Sequence, residues 1–197
     1  MLFPISVLDF DHRISYCWAP MKFGSLDFGE LSRAALGLSG LLLLLAGCES
    51  ERPLPAYESP MPRSDYMKVR TTAYTDTESD HIKYANYSAT GTALQDGTDG
   101  TVRSAAADWS RWPAGTLFQI MATGQVYEVD DYGWALSGRN TLDLYCPSRG
   151  EMNDWGVRRV TIHILQWGDP WHSYHILAPR AKYAHVRRML SEIKRFY

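Results

Sequence analysis

Apolar and polar residues alternate with a period of two in several short runs, and each run predicts a strand. In residues 66–75, Val69, Thr71, Ala73 and Thr75 share one face. Residues 116–122 and 125–129 flank Thr123-Gly124, a tight hairpin candidate. Leu142-Asp143-Leu144-Tyr145-Cys146 alternates as a strand with one polar face. In residues 158–166, Val160, Ile162 and Ile164 alternate against Thr161 and His163. Helical spacing is confined to two places. Ser148-Arg149-Gly150-Glu151 fits a capping box, with Gly156 as the stop. Near the end, Pro179 suits a first helical turn, and Val186, Leu190, Ile193 and Tyr197 mark one helix face. The opposite face is basic: Arg180, Lys182, Arg187, Arg188, Lys194 and Arg195 beside Glu192. Short strands, a Gly- and Asp-rich loop at residues 91–100 and only two helices predict a mainly β protein built on a small barrel.

The front of the chain follows another pattern. Residues 34–47 form an uncharged apolar run of 14 residues, shorter than the about 20 a bilayer span needs. Lys22 and Arg33 precede it, so residues 21–47 read as a secretory signal peptide. Residues 1–20 have no clear period and read as a mis-annotated leader ahead of a true start at Met21. Leu45-Ala46-Gly47-Cys48 resembles the bacterial lipoprotein box. That resemblance implies an acylated Cys48 as the new N-terminus and a stable membrane attachment. Glu49, rather than Asp, follows the Cys, which by the same resemblance points to the outer membrane. Residues 48–65 carry four prolines and no apolar period, and read as an extended tether.

Charge and cysteine usage exclude several classes. The formal net charge is −2, so nothing draws the chain to nucleic acid in bulk. The three cysteines have neither metal spacing nor a paired framework, and Cys146 reads as a small buried residue. Asp76, Glu78, Asp80 and His81 form an acidic loop that reads as solvated rather than metal-binding. No metal and no cofactor are implied. Seven Trp and twelve Tyr are many for 197 residues. Each is core material first, and some are able to stack on sugar faces.

The candidate chemistry lies in aspartates. Asp143 sits inside a strand pattern, where Asp is disfavoured. It is either a solvated carboxylate on an edge strand or a carboxyl group held in a groove for acid–base work. Asp131 stands at the other end of the same Gly-containing stretch. Asp108 lies in Ala107-Asp108-Trp109-Ser110-Arg111-Trp112-Pro113-Ala114-Gly115. That frame resembles the V-D-P-x-x-I-P-x-G segment of the three-aspartate (3D) domain. The domain is shared by the membrane-bound lytic transglycosylase A family and by stand-alone stationary-phase survival proteins. Other blocks resemble the family in the same order. Thr72-Ala73-Tyr74 is similar to its T-A-Y strand, and Ala89-Thr90-Gly91-Thr92-Ala93-Leu94 to A-T-G-T-x-L. Asp131-Tyr132-Gly133 is similar to D-T-G, Gly138-Arg139-Asn140 to G-N-R, and Leu142-Asp143-Leu144-Tyr145 to I-D-I-Y. Residues 155–162 are similar to the closing W-G-V-R-x-V-x-V strand. Two departures stand out: the interval from Asp131 to Asp143 is one residue longer, and Ser137 stands where the family often has Lys.

The resemblance implies a six-stranded double-psi β-barrel over residues 66–168, with a helical tail over residues 169–197. It implies an enzyme that cleaves the MurNAc–GlcNAc bond of peptidoglycan without water, leaving a 1,6-anhydro end. Asp143 then matches the family's general acid/base, and Asp131 supports its protonation state and the developing positive charge. Asp108, Tyr74, Thr90 and Gly91 are the candidate sugar-positioning residues. The implied partners are peptidoglycan glycan strands and a membrane reached through Cys48. The alternative is a non-catalytic wall-binding lipoprotein on the same barrel, because fold does not fix function.

Overall fold

The computed structural model describes residues 52–78 and 84–197. The leader, the signal peptide, Cys48, Asp80 and His81 lie outside the described residues. Six strands close into one barrel: β1 Tyr66–Tyr74, β2 Arg103–Ala106, β3 Leu117–Ile120, β4 Val126–Asp131, β5 Leu142–Tyr145 and β6 Arg158–Gln166. Their order around the barrel is β1-β5-β2-β4-β3-β6. β1 pairs antiparallel with β6 through its first half and parallel with β5 through its second. β2 runs parallel to β4 and antiparallel to β5, and β3 is antiparallel to both β4 and β6. Exchanging β1, β2, β3 with β4, β5, β6 returns the same ring and the same directions. This two-fold interlocking is the double-psi arrangement the barrel expectation requires.

Alternation places the core as expected. Val69, Phe118, Val129, Leu142, Leu144 and Ile162 are buried inside the barrel. Each fully buried large side chain contributes roughly 1.5–3 kcal/mol. The hairpin at Thr123-Gly124 joins β3 to β4, with Gly124 at φ +74°, a backbone region that suits glycine.

The helices differ from expectation in number and facing. Among the described residues there are three α-helices: α1 Arg149–Trp155, α2 Pro170–Leu177 and α3 Ala184–Phe196. At α1 the capping box is half made. Ser148 Oγ accepts from the Glu151 amide at 3.2 Å, but the Glu151 carboxylate turns to Arg103 at 3.2 Å instead of reaching back. The unexpected helix α2 is started by Asp169, whose carboxylate caps the Trp171 amide at 2.8 Å, with Pro170 in its first turn. It docks through buried Ser173, whose hydroxyl accepts from the Ala114 amide at 2.9 Å. On α3 the buried face is Val186, Met189, Glu192 and Ile193. Leu190 is only partly buried and Tyr197 is 42% exposed. The face is turned toward Met189 because Glu192 reaches a polar partner inside, Ser110 Oγ at 3.0 Å, with the Arg111 guanidinium 3.8 Å away.

Residues 52–64 carry no regular structure, as the proline content predicts, yet they are bound to the barrel along much of their length. Asn140 donates its amide to Glu58 at 2.8 Å and its side-chain NH₂ to the Ser59 carbonyl at 2.8 Å. Arg188 of α3 holds the Pro55 carbonyl at 2.9 Å. Arg52 lies over the Trp134 ring, 3.5 Å from its centroid. This segment is a strap, fastened to the loop that follows β4.

Candidate active site

Backbone register assembles the site. In adjacent paired strands, directly opposed residues point to the same side. Thr72 of β1 pairs with Asp143 of β5, Asp143 pairs with Ala106 of β2, and Ala106 pairs with Asp131 of β4. One row across four strands therefore reads Thr72, Asp143, Ala106, Asp131. The two aspartates are two strand spacings apart, about 10 Å along the backbone. The methyl group of Ala106 between them leaves space for a ligand. Both carboxyl groups open into a cleft of about 550 Å³, whose wall includes Glu78, Tyr84, Tyr132, Trp134 and Arg180.

A bulge decides which aspartate reaches the cleft. The β2–β4 register shifts between Ala105 and Ala106, so Ala105 faces Val129 and Ala106 faces Asp131. Asp130 is the extra residue. Bulges re-aim side chains in this way beside sites. The Asp131 carbonyl is fixed by Trp109 Nε1 at 2.8 Å and by the Ala107 amide at 3.0 Å. Its carboxylate accepts the Tyr132 amide at 2.8 Å and the Ala89 amide at 3.2 Å, with the Tyr74 hydroxyl 3.5 Å away. These donors favour its charged form.

Asp143 has the opposite environment. Tyr74, Ala106, Leu136 and Tyr145 form a small apolar cluster around the same row. Burial raises the Asp143 pKa to about 6, the Glu78 and Asp131 charges adding to the rise. The hydrogen bond from Thr72 Oγ1 at 2.5 Å and the Arg70 charge oppose it. A carboxyl group with this pKa donates and recovers a proton near neutral pH. Removing the Thr72 hydroxyl in Thr72→Ala takes away a bond to the charged form. The basic limb of any Asp143-dependent activity is then expected to move to higher pH, and an unmoved limb counts against Asp143 as the acid.

Asp130 is a residue the sequence reading passed over. It is 3% exposed, bonded to Ser104 Oγ at 2.6 Å, and its other carboxyl oxygen has no partner. Burial raises its pKa to about 7, and the Asp131 charge adds to the rise. Between its unfolded value near 3.8 and about 7 the folded chain holds a proton that the unfolded chain has lost, so stability falls as pH rises through that window. Asp130→Asn is expected to remove this dependence. It should raise stability at pH 7.5 by about 1–3 kcal/mol, several degrees in Tm, with little change at pH 4. Thermal melts of both proteins at the two pH values check it, and an equal shift at both overturns the account.

The other candidates fall into two groups. Tyr74 lines the cleft, and burial together with the nearby carboxylates raises its pKa, keeping its hydroxyl as a donor. Thr90 and Gly91 do not line the cleft; Ser88 and Ala89 do. Thr90 shares hydroxyl bonds with Ser88 and Thr92, and Gly91 turns the chain at φ +88°. They shape the loop that offers the Ala89 amide to Asp131. Asp108 does not reach the cleft either. It is fully buried, accepts the Ser110 amide at 2.8 Å and hydroxyl at 2.5 Å, and is bonded by the Gly138 amide. Its place is structural, because α3 covers it. Glu78, read from the sequence as part of a solvated loop, lines the cleft. Ser137 is fully buried, its hydroxyl donating to the His185 carbonyl at 3.3 Å, so it ties the tail to the barrel.

A second cavity of about 250 Å³ lies by the strap, bounded by Met61, Arg63, Trp112 and Trp167, with no Asp or Glu side chain in its wall. Cys146 is buried and free, and burial raises its thiol pKa to about 11. Among the described residues no group of His, Cys, Asp and Glu is arranged to hold a metal ion, and no helix is long and apolar enough to cross a membrane. Fold and site define a closed six-stranded mixed β-barrel with an aspartate pair in an aromatic-walled cleft. No protein-family model matches the chain, and no curated protein is similar to it.

Proposed function

We propose that the cleft belongs to a peptidoglycan lytic transglycosylase in which Asp143 is the one general acid and base. The observation that carries this reading is the contrast within one row. Asp143 sits among apolar groups with a pKa of about 6, while Asp131 is held by amide donors. Two carboxyl groups in environments that push their protonation apart are a usual mark of divided acid–base labour.

The chemistry needs no water-derived base. Asp143 gives its proton to the glycosidic oxygen as the bond from C1 of MurNAc to that oxygen breaks. The C6 hydroxyl of the same sugar attacks C1 and returns its proton to Asp143. A 1,6-anhydro ring and a free GlcNAc hydroxyl result, and the carboxyl group is restored. The attack is intramolecular, so proximity supplies much of the advantage. Asp131, held by amide donors, stabilises the oxocarbenium-like charge. Tyr84, Tyr132 and Trp134 offer ring faces to the sugars. In this reading residues 21–47 export the chain, and acylated Cys48 fixes it in the envelope, on the outer membrane facing the periplasm.

The buried, uncharged Ser137 favours the second reading, a wall-binding barrel without activity, because it brings no cation to the aspartates. Incubation with purified peptidoglycan separates the two. Mass spectrometry of the soluble products is expected to find 1,6-anhydro muropeptides. Reducing ends instead of anhydro ends would indicate a hydrolase. Binding to sacculi without products would leave the wall-binding barrel.

A further inference from the structure

The floor of the cleft is acidic, with Asp131, Asp143 and Glu78, yet one wall is not. The turn between α2 and α3 contributes Pro179, Arg180, Lys182 and Tyr183 to the lining, and the first turn of α3 adds His185. Among the described residues neither Arg180 nor Lys182 forms an ion pair. Lys182 is exposed, its ammonium 5.0 Å from the Tyr183 ring centroid. Arg180 is bound only by neutral groups. Its guanidinium donates to the Ala89 carbonyl at 3.0 Å and to the Tyr132 hydroxyl at 3.5 Å. The Ala89 amide in turn donates to Asp131, so Arg180 sits one residue away from the aspartate pair.

Two cations left without carboxylates, facing a cleft with a negative floor, answer a specific difficulty. A glycan that carries acid groups is repelled by Asp131 and Glu78. A cationic wall offsets that repulsion and fixes which way the strand lies. Arginine offers a carboxylate two parallel donors, and lysine a mobile point charge. We propose that Arg180 and Lys182 form a carboxylate-binding subsite on this wall, which makes acid-bearing glycan, rather than neutral glycan, the preferred substrate class. This rests on the glycan-cleaving reading above and adds to it the charge of the substrate. The carboxylate has two possible sources with the same chemistry: the lactyl group on the sugar, or the peptide stem attached to it.

The test uses the full chain carrying Asp143→Asn, so that nothing is cleaved during titration. Three probes are titrated by tryptophan fluorescence: neutral chitohexaose, a peptidoglycan strand stripped of its peptides by an amidase, and a strand with its stems. Stripping frees the lactyl carboxylate, so the last two probes distinguish the sources. Carboxylate-bearing probes are expected to bind roughly three- to tenfold more tightly than chitohexaose. Arg180→Ala also releases the Ala89 loop, so the exposed Lys182→Glu carries the test. It should abolish the preference, read as the ratio of the acid-bearing probes' affinities to that of chitohexaose. Equal affinity for neutral and acidic probes, unmoved by Lys182→Glu, overturns the subsite and leaves glycan binding standing. Binding to none of the three overturns the glycan reading and the subsite together.

Discussion

On the proposed transglycosylase reading, Asp143→Asn is expected to lower cleavage by roughly 10²–10⁴-fold, the usual contribution of a general acid, and to leave the barrel folded. Asparagine has the same shape and still accepts the Thr72 hydroxyl bond. It removes a carboxyl group whose charged form burial opposes, so folding at neutral pH is if anything favoured. The wild-type pH profile carries the second half of the expectation. Asp143 must be protonated to act, so with a pKa of about 6 the rate should decline as pH rises above about 6. On the proposed reading Asp143 is the donor, while Asp131 is already engaged by two amides. Anhydro product made by Asp143→Asn at near wild-type rate would place the acid elsewhere, Glu78 being the next carboxyl in the cleft.

Gly168→Ala is expected to have the largest effect on stability. A Cβ at Gly168 would stand 2.2 Å from the Ala114 carbonyl oxygen, 2.5 Å from that of Pro113 and 2.7 Å from the Thr116 amide nitrogen. All three are backbone atoms, which cannot swing aside as a side chain can. The same junction is held by the Gly168 amide on Thr116 Oγ1 at 3.0 Å and by stacked Trp112 and Trp167. Forcing it apart displaces the segment carrying Asp108 from the start of α2. A loss of roughly 3 kcal/mol or more follows, near 10 °C in Tm. Gly124→Ala is the control. Unlike Gly168 it has a positive φ, but nothing lies within 4 Å of the added carbon, so only about 1 kcal/mol of backbone strain is expected. Melting curves that show equal losses for the two substitutions would contradict the close approach at Gly168.

Alternation found five of the six strands, because side chains repeat every two residues and one face of each meets the core; it missed β2, whose Ser104, Ala105 and Ala106 are all buried and show no alternation. It could not order them. The parallel pairs β1–β5 and β2–β4 join segments distant in sequence, and no local pattern encodes that. Among the aspartates the limits are specific. Asp143 was legible as a polar residue in an apolar strand. For Asp130 and Asp131, period-two counting is defeated by the bulge, since one unpaired residue inverts the faces beyond it. Asp108 looks no different from a cleft residue in sequence; its burial follows from α3 lying over it, with Glu192 meeting Ser110. The helix α2 did leave a signal, Asp169-Pro170, a cap followed by a first-turn proline. Its exposed Trp171, His172 and His175 gave no apolar stripe to support it.

The interlocked ring also sets a schedule for how the chain becomes a barrel. β1 has no partner until β5 and β6 are present, and β6 ends only at Gln166. Neither half of the ring can close by itself, since each parallel pair draws one strand from each half. Contacts of such sequence separation delay closure, because loop entropy is lost before the pairing is gained. A chain threaded through a membrane from its N-terminus would therefore expose β1 as an open edge until nearly all of it had emerged. Refolding in the millisecond-to-second range, rather than the microseconds of local helical folds, is the expected signature.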